Sequence, residues 1–348
     1  MHGASEVAHL TERHPTVTPE RLIAQLVPPS TFADVSFDSY RPDPAEPSQA
    51  AAVVKARTFC VDAVRRRAGK KKLFGKRDVL PGVGIYLDGG FGVGKTHLLA
   101  STYYTLAGSD AGPAAFATFG ELTQLAGVFG FTECIELLAD YVVVCIDEFE
   151  LDDPGNTTLI SRLLSALVER GVSIAATSNT LPEQLGEGRF AAQDFLREIN
   201  TLSSIFTTVR VEGPDYRQRG LPSAPVPPSD AQVQSWAAGA GSGATLDEFD
   251  ALCAHLATMH PSRYLTLIEG VTEVFITGVH TVHDQSVALR LVSLTDRLYD
   301  AGIPVVASGD KLNMLFGEEM LAGGFRKKYL RATSRLLALS AAGQELHA

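Results

Sequence analysis

Residues 88–101 read DGGFGVGKTHLLAS, and no other string limits the fold of this chain as strongly. Gly89, Gly94, Lys95 and Thr96 satisfy GxxxxGK[ST] directly after the apolar run GIYL and at the start of a helical pattern. A strand must end in such a loop and a helix must begin from it. The residue types follow from phosphate chemistry: glycines let backbone N–H groups curl around oxygens, and the helix N-terminus adds partial positive charge. Lys95 is expected to reach the β- and γ-phosphates of ATP, and Thr96 to coordinate Mg²⁺. Gly89, Gly90, Phe91, Gly92, Val93, Gly94 and His97 complete the candidate nucleotide-binding stretch.

Around this loop, short apolar strands alternate with helical segments. An alanine-rich helix is expected from about 47 to 67, and a helix from Lys95 to about Ala107. Strands are expected at 114–118, 141–146, 172–177 and 206–212, with helices over 119–138 and 156–170. This alternation predicts an α/β fold, a parallel sheet flanked by helices on both faces. Before it, the first 15 residues read as frayed, and TPERLIAQL as a short helix with Thr18 as its N-cap. From 214 to 244 the Pro, Gly and Ser content predicts a linker or irregular structure, and Thr245 and Glu248 have capping-box spacing for a further helix. The expected organisation is thus an N-terminal segment (1–46), a P-loop ATPase core (47–213), the linker (214–244) and a C-terminal α/β lobe (245–348). Residues 141–179 can also be laid over 273–310 as strand, helix and strand, each helix ending in a glycine (Gly171, Gly302). Val279 and His280 then stand opposite Asp147 and Glu148. Any two βαβ units share that much, so the echo does not establish a repeat.

The second half of the site is VVVCIDEFE. A carboxylate at the end of an apolar strand suits Asp147 to hold magnesium, directly or through water. Glu148, next in sequence, is placed to deprotonate an attacking water, which a passive binder would not need. Some 30 residues on, VSIAAT ends in Ser178–Asn179, and Asn179 reads as a sensor of the γ-phosphate. There is no NKxD guanine reader and no LSGGQ-like string. The AAA+ class of P-loop ATPases remains.

Net charge is −10, which argues against a general nucleic-acid binder. Residues 65–77, RRRAGKKKLFGKR, hold eight basic residues and no acid, leaving 22 basic against 40 acidic residues elsewhere, a balance of −18. The run reads first as a solvated loop, with DNA, anionic lipid or an acidic partner as other readings. No apolar run approaches the roughly 18 residues of a membrane span. Cys60, Cys134, Cys145 and Cys253 form no CxxC pair, and a cytoplasmic chain with reduced thiols is expected.

With those residues in place, the chain resembles the ZapE-type AAA+ ATPases, bacterial division-associated proteins and their mitochondrial relatives. GGFGVGKTHLL, VCIDEFEL, ATSNTLPEQL, VRVEGPDYRQR, VFITGV, LTDRLYDAGIPVVASG and RATSRLLAL carry the resemblance. It implies that the C-terminal lobe brings a second-sensor helix, with Arg331 or Arg335, to the nucleotide. It also implies an arginine finger after the asparagine sensor. The family's arginine-rich string is replaced here by Ala192, Gln193 and Asp194 before Phe195, which leaves Arg189 and Arg197 as candidates. A finger acting between subunits requires a ring or filament. The resemblance further implies a protein partner in the division machinery, with the tubulin-like division polymer as the candidate. His97 and the leucines after it resemble the helicase-loader branch, so a DNA-associated ATPase is one alternative. A nucleotide-gated scaffold with little turnover is another.

Overall fold

The computed structural model describes residues 7–16, 18–69, 80–90, 92–150, 154–181, 196–213 and 224–347. Two compact units result: Thr18–Tyr216, and a second made of Met1–Val17 with Arg217–Ala348.

The first unit holds α1 (Pro19–Ala24), α2 (Pro47–Ala68), β1 (Gly84–Gly89), α3 (Lys95–Ala107), β2 (Ala114–Thr118), α4 (Phe119–Phe129) and α5 (Phe131–Leu138). It continues through β3 (Val143–Asp147), α6 (Pro154–Glu169), β4 (Ser173–Ser178), α7 (Leu196–Ile205) and β5 (Phe206–Val211). All five strands are parallel, in the order β2-β3-β4-β1-β5. That is a P-loop AAA+ core. Strand side chains alternate faces. Ile85, Leu87, Val143 and Cys145 join Ala52, Ala56 and Phe59 of α2 and Leu98 and Leu99 of α3 in one cluster. Tyr86, Val144 and Ile146 are buried on the opposite face. Burial on both faces is why these strands read as continuous apolar runs rather than alternating ones.

The expected strands and helices appear within one or two residues, with the 119–138 stretch broken at Gly130 (φ +81). One residue separates the two helices there, and the Phe131 ring lies under the Arg162 guanidinium at 5.2 Å. The basic run begins inside α2: Arg65, Arg66 and Arg67 form its last turn, where positive charge complements the helix dipole. Residues 70–77 lie outside the described residues.

The second unit holds α8 (Asp230–Gly239), β6 (Ala244–Glu248), α9 (Phe249–Ala257), α10 (Tyr264–Leu267), β7 (Glu273–Val279), α11 (Gln285–Ala301), β8 (Val305–Gly309), α12 (Glu318–Ala322) and α13 (Arg326–Leu346). Its own parallel sheet runs β6-β7-β8. Three expectations fail here. The 214–244 stretch contains α8, opened by a capping box between Ser229 and Gln232. Thr245 caps no helix; it is fully buried within β6, and Glu248 itself caps α9 by accepting from the Ala251 N–H. The N-terminus is not frayed over its described part. Ala8 bridges to Thr245, Leu10 is fully buried, and the Asp247 carboxylate accepts from the N–H groups of Leu10 (2.9 Å) and Thr11 (3.1 Å). Residues 7–13 therefore belong with a strand more than 230 positions away.

On α11, Asp296 binds both Arg331 (2.6 Å) and Arg335 (2.5 Å), one turn apart on α13. Arg335 also lies over the Tyr299 ring at 5.0 Å. Burial works to raise the Asp296 pKa, but the charges and hydrogen bonds of the two arginines outweigh it and hold the carboxyl below its ordinary range. Removing one partner of a buried ion pair costs about 3–5 kcal/mol. Asp296→Asn should lose stability of that order, read by urea titration of emission from Trp236, the chain's single tryptophan, which sits in this unit. A depressed folded pKa gives stability above the unfolded value, near 3.9, that is lost as pH falls through the folded one. The deficit of the variant should therefore persist at neutral pH and shrink below about pH 4. An unchanged urea midpoint at pH 7 would contradict the assignment.

Candidate functional site

The site forms where β1, β3 and β4 end. Gly89 closes β1 against β5, and a Cβ there would lie 2.1 Å from the Val211 carbonyl oxygen. Gly92 (φ +75) and Gly94 (φ +86) take left-handed backbone, and Gly94 is the N-cap of α3. Around Gly90 the nearest atom to an added Cβ would be 4.0 Å away, so the loop is open on that side. Lys95, the first residue of α3, is 9% exposed. Its Nζ donates to the carbonyls of Gly89 (2.9 Å) and Gly90 (2.5 Å) and to Asn179 Oδ1 (2.9 Å). A buried ammonium is tolerated when oxygen acceptors surround it.

Thr96 Oγ1 donates to the Asp147 carboxylate, 3.2 Å from each oxygen. Thr177 Oγ1 donates to Asp147 Oδ1. A hydroxyl and a carboxylate converging in this way are hard oxygen donors of the kind Mg²⁺ prefers. Glu148 follows, half-buried, with φ +54, the one non-glycine residue at positive φ among those described. Left-handed backbone at a non-glycine residue costs roughly 1–2 kcal/mol. The structure compensates on both sides: the Glu148 N–H donates to Thr177 Oγ1 (3.1 Å) and the Phe149 N–H to the Thr177 carbonyl (2.7 Å). The Phe149 ring is fully buried and meets Tyr86, Phe119 and Phe206 edge-on, with centroids 5.4–6.1 Å apart. Tyr86 Oη in turn donates to the Thr180 carbonyl (2.7 Å), beside Asn179.

The strand ends thus bring two hydrogen-bonded pairs together, Lys95 with Asn179 and Thr96 with Asp147, with Glu148 next in sequence to Asp147. His97 sits differently. Its Nε2 is 3.0 Å from the Ser36 carbonyl and from Ser39 Oγ, and its ring meets Tyr40 edge-on at 5.5 Å. Phe91 and Arg189 lie outside the described residues. Arg197 is exposed near the start of α7. Arg331 and Arg335 lie in the second unit, on Asp296.

Sequence reasoning missed the segment before α2 and the first turn of that helix. Tyr40 Oη donates to the Val93 carbonyl (2.8 Å), and Gln49 donates to the Glu212 carbonyl (2.8 Å) while accepting from the Asp43 N–H. With Arg41, Gly92, Gly94 and His97 these residues line a cavity of about 240 Å³ beside the loop. A Pro-rich string carries no periodic signal, so only the tertiary contacts reveal it. The second unit has a larger cavity, about 490 Å³, at the carboxyl ends of β7 and β8, lined in part by Asp250, Cys253, His280 and Asp310. Among the described residues no three His, Cys, Asp or Glu side chains are arranged to hold a metal ion. All four cysteines are buried and free, and burial pushes the thiols of Cys60 and Cys253 up to about 12. Among the described residues no helix is long and apolar enough to cross a membrane.

The family described as AFG1-like ATPase matches residues 16–239 and 227–345. The cell division protein ZapE of Escherichia coli K12 is 30% identical over 282 residues, 69% of this chain and 74% of that protein. Lactation elevated protein 1 homolog B of Danio rerio is 25% identical over 162 residues, 40% of this chain and 32% of that protein. The DnaC helicase loader covers 52% of this chain and 99% of its own at 17% identity, with a TM-score of 0.36.

Gly94→Ala should lose more than about 1 kcal/mol, because Ala disfavours positive φ. The added Cβ would also sit 2.5 Å from the Tyr40 ring. Tyr40→Phe removes one hydrogen bond and should lose about 1 kcal/mol. Urea unfolding followed by far-ultraviolet circular dichroism measures both, and a Gly94→Ala protein as stable as its parent would count against this packing.

Proposed function

The chain belongs to the AFG1-like ATPase family, and on that premise we propose that it is a Mg²⁺-dependent ATP hydrolase whose turnover drives a conformational cycle acting on a protein partner. The observation that supports this most is the meeting of two hydrogen-bonded pairs, Lys95 with Asn179 and Thr96 with Asp147, at the strand ends beside Glu148. The Gly89 and Gly90 carbonyls that hold the Lys95 ammonium are neutral acceptors, and anionic phosphate oxygens compete well for it. The loop N–H groups and the α3 N-terminus add to that attraction. Thr96 and Asp147 are the residues that would hold Mg²⁺, which when bound neutralises charge on the β- and γ-oxygens. Glu148 accepts the proton of the attacking water, and Asn179 orients that water and the γ-phosphate. The cavity beside Tyr40, Arg41, Gln49 and His97 takes the base and ribose.

Arg331 or Arg335 serves as second sensor, and Arg189 or Arg197 as finger. The exposure of Arg197 suits action in the site of a neighbouring copy within a ring or filament. The Escherichia coli relative is named a cell division protein. We extend that to this chain, with the tubulin-like division polymer as partner and the cytoplasm as compartment, in keeping with four buried free thiols.

Glu148→Gln should retain ATP binding while kcat falls roughly 10²- to 10⁴-fold. Lys95→Ala should lose nucleotide binding altogether, and chelating Mg²⁺ should stop turnover. Steady-state phosphate release and binding of a fluorescent ATP analogue separate these outcomes. Wild-type turnover in Glu148→Gln would remove Glu148 as the base. Background turnover in the parent, with ATP-dependent co-sedimentation of the division polymer, would favour a nucleotide-gated scaffold instead.

A further inference from the structure

The β3–β4 ladder stops at Ile146 and Ala176, one residue short of the catalytic carboxylates. Beyond that point one residue, Thr177, takes over from the ladder. Thr177 is 2% exposed, and its hydroxyl and carbonyl engage three consecutive residues across the gap. The hydroxyl proton goes to Asp147 Oδ1, an oxygen lone pair receives the Glu148 N–H at 3.1 Å, and the carbonyl receives the Phe149 N–H at 2.7 Å.

Packing alone does not account for a threonine here. The three positions before it in β4, Ile174, Ala175 and Ala176, are apolar and buried, while buried Ser178 after it accepts from the Thr180 N–H at 3.0 Å. Valine has the same shape and suits a buried strand, and it would leave no hydroxyl to satisfy. The hydroxyl is spent on the two acidic residues of the site, one through its carboxylate and one through its backbone. Glu148 leaves the strand at φ +54, where a glutamate does not rest unless its surroundings hold it.

We infer that Thr177 is a positioning residue, whose hydroxyl fixes the backbone of Glu148 relative to the metal-holding carboxylate of Asp147. This rests on the reading of Glu148 as the base. Without the hydroxyl, the Asp147 carboxylate keeps its bonds from Thr96 Oγ1 and can still serve binding. Glu148 loses the acceptor that holds its left-handed turn. Loss of Thr177 should therefore slow turnover more than it weakens nucleotide binding.

Thr177→Val should lower kcat roughly ten- to a hundredfold, the scale of a catalytic group displaced by about an ångström. The dissociation constant of a fluorescent ATP analogue should change by less than about threefold, a small free-energy difference. Thr177→Ser keeps the hydroxyl and should restore most of the rate. A structural role would not produce one further result: Thr177→Val added to Glu148→Gln should slow turnover no further, because groups that act as a unit are not additive. If the valine variant does not fold, Thr177→Cys, with a weak hydrogen-bonding thiol of similar size, carries the same comparison. Parent-like kcat in Thr177→Val, or a full multiplicative loss in the double variant, would overturn the inference while leaving Glu148 as the base. Parent-like turnover in Glu148→Gln would overturn both, since Thr177 would then have no base to hold.

Discussion

The ammonium of Lys95 ties the core unit together at its functional edge. A charge that is 9% exposed must find oxygen partners, and it takes them from two separate pieces of chain, the loop after β1 and the tip of β4. The circuit then closes through the side chains. From Asn179 it steps back two residues to Thr177, crosses to Asp147 at the end of β3, and returns through Thr96 to α3, beside Lys95. Such a circuit requires β4 to lie between β1 and β3, as the observed strand order places it. Strand order and site chemistry are therefore one constraint: a sheet wound differently would scatter these five side chains.

What could be read from the sequence was what depends on nearby residues. The P-loop string, the apolar strands and the Asp147–Glu148 pair each carry their meaning within about ten positions, and the helices follow their own periodicity. Asn179 stood out only through the order of the motifs, since an asparagine after a strand is by itself usually a turn residue, and it does lie on Lys95. The missed features are long-range or disguised. Thr177 is β-branched in an apolar strand, so its sequence context suggests packing alone. Asp296 sits mid-helix in LTDRLYD, where an acid normally reads as solvent-facing. The pairing of residues 8–11 with β6 spans more than 230 positions and has no local signal. Thr245 and Glu248 satisfied a capping rule by spacing, yet burial of Thr245 in a strand outweighed that local preference.

The second unit shows how far a shared topology goes without its chemistry. As β3, α6 and β4 do in the core, β7, α11 and β8 form adjacent parallel strands joined by a helix that ends in a glycine at positive φ, Gly302 here and Gly171 there. The second unit has its own three-stranded sheet. Where the core has Asp147 and Glu148, this unit has Val279 and His280. The His280 pKa is raised by its bonds to the Thr281 carbonyl and Asp250, which suits a surface ion pair and not a metal ligand. Fold alone therefore does not confer hydrolysis on it.

Charge points instead to the Asp296 cluster. Arg331, Arg335 and Asp296 together carry one net positive charge, largely shielded from water. If either arginine senses a phosphate, it must exchange Asp296 for that anion, and the exchange has a defined cost. Asp296 would keep its other arginine, so the carboxylate stays compensated while one guanidinium leaves. A single Asp–Arg pair offers no such option, since departure would strand the buried carboxylate. Two arginines one turn apart on α13 thus give Asp296 a second cation to keep its charge compensated if one is drawn away.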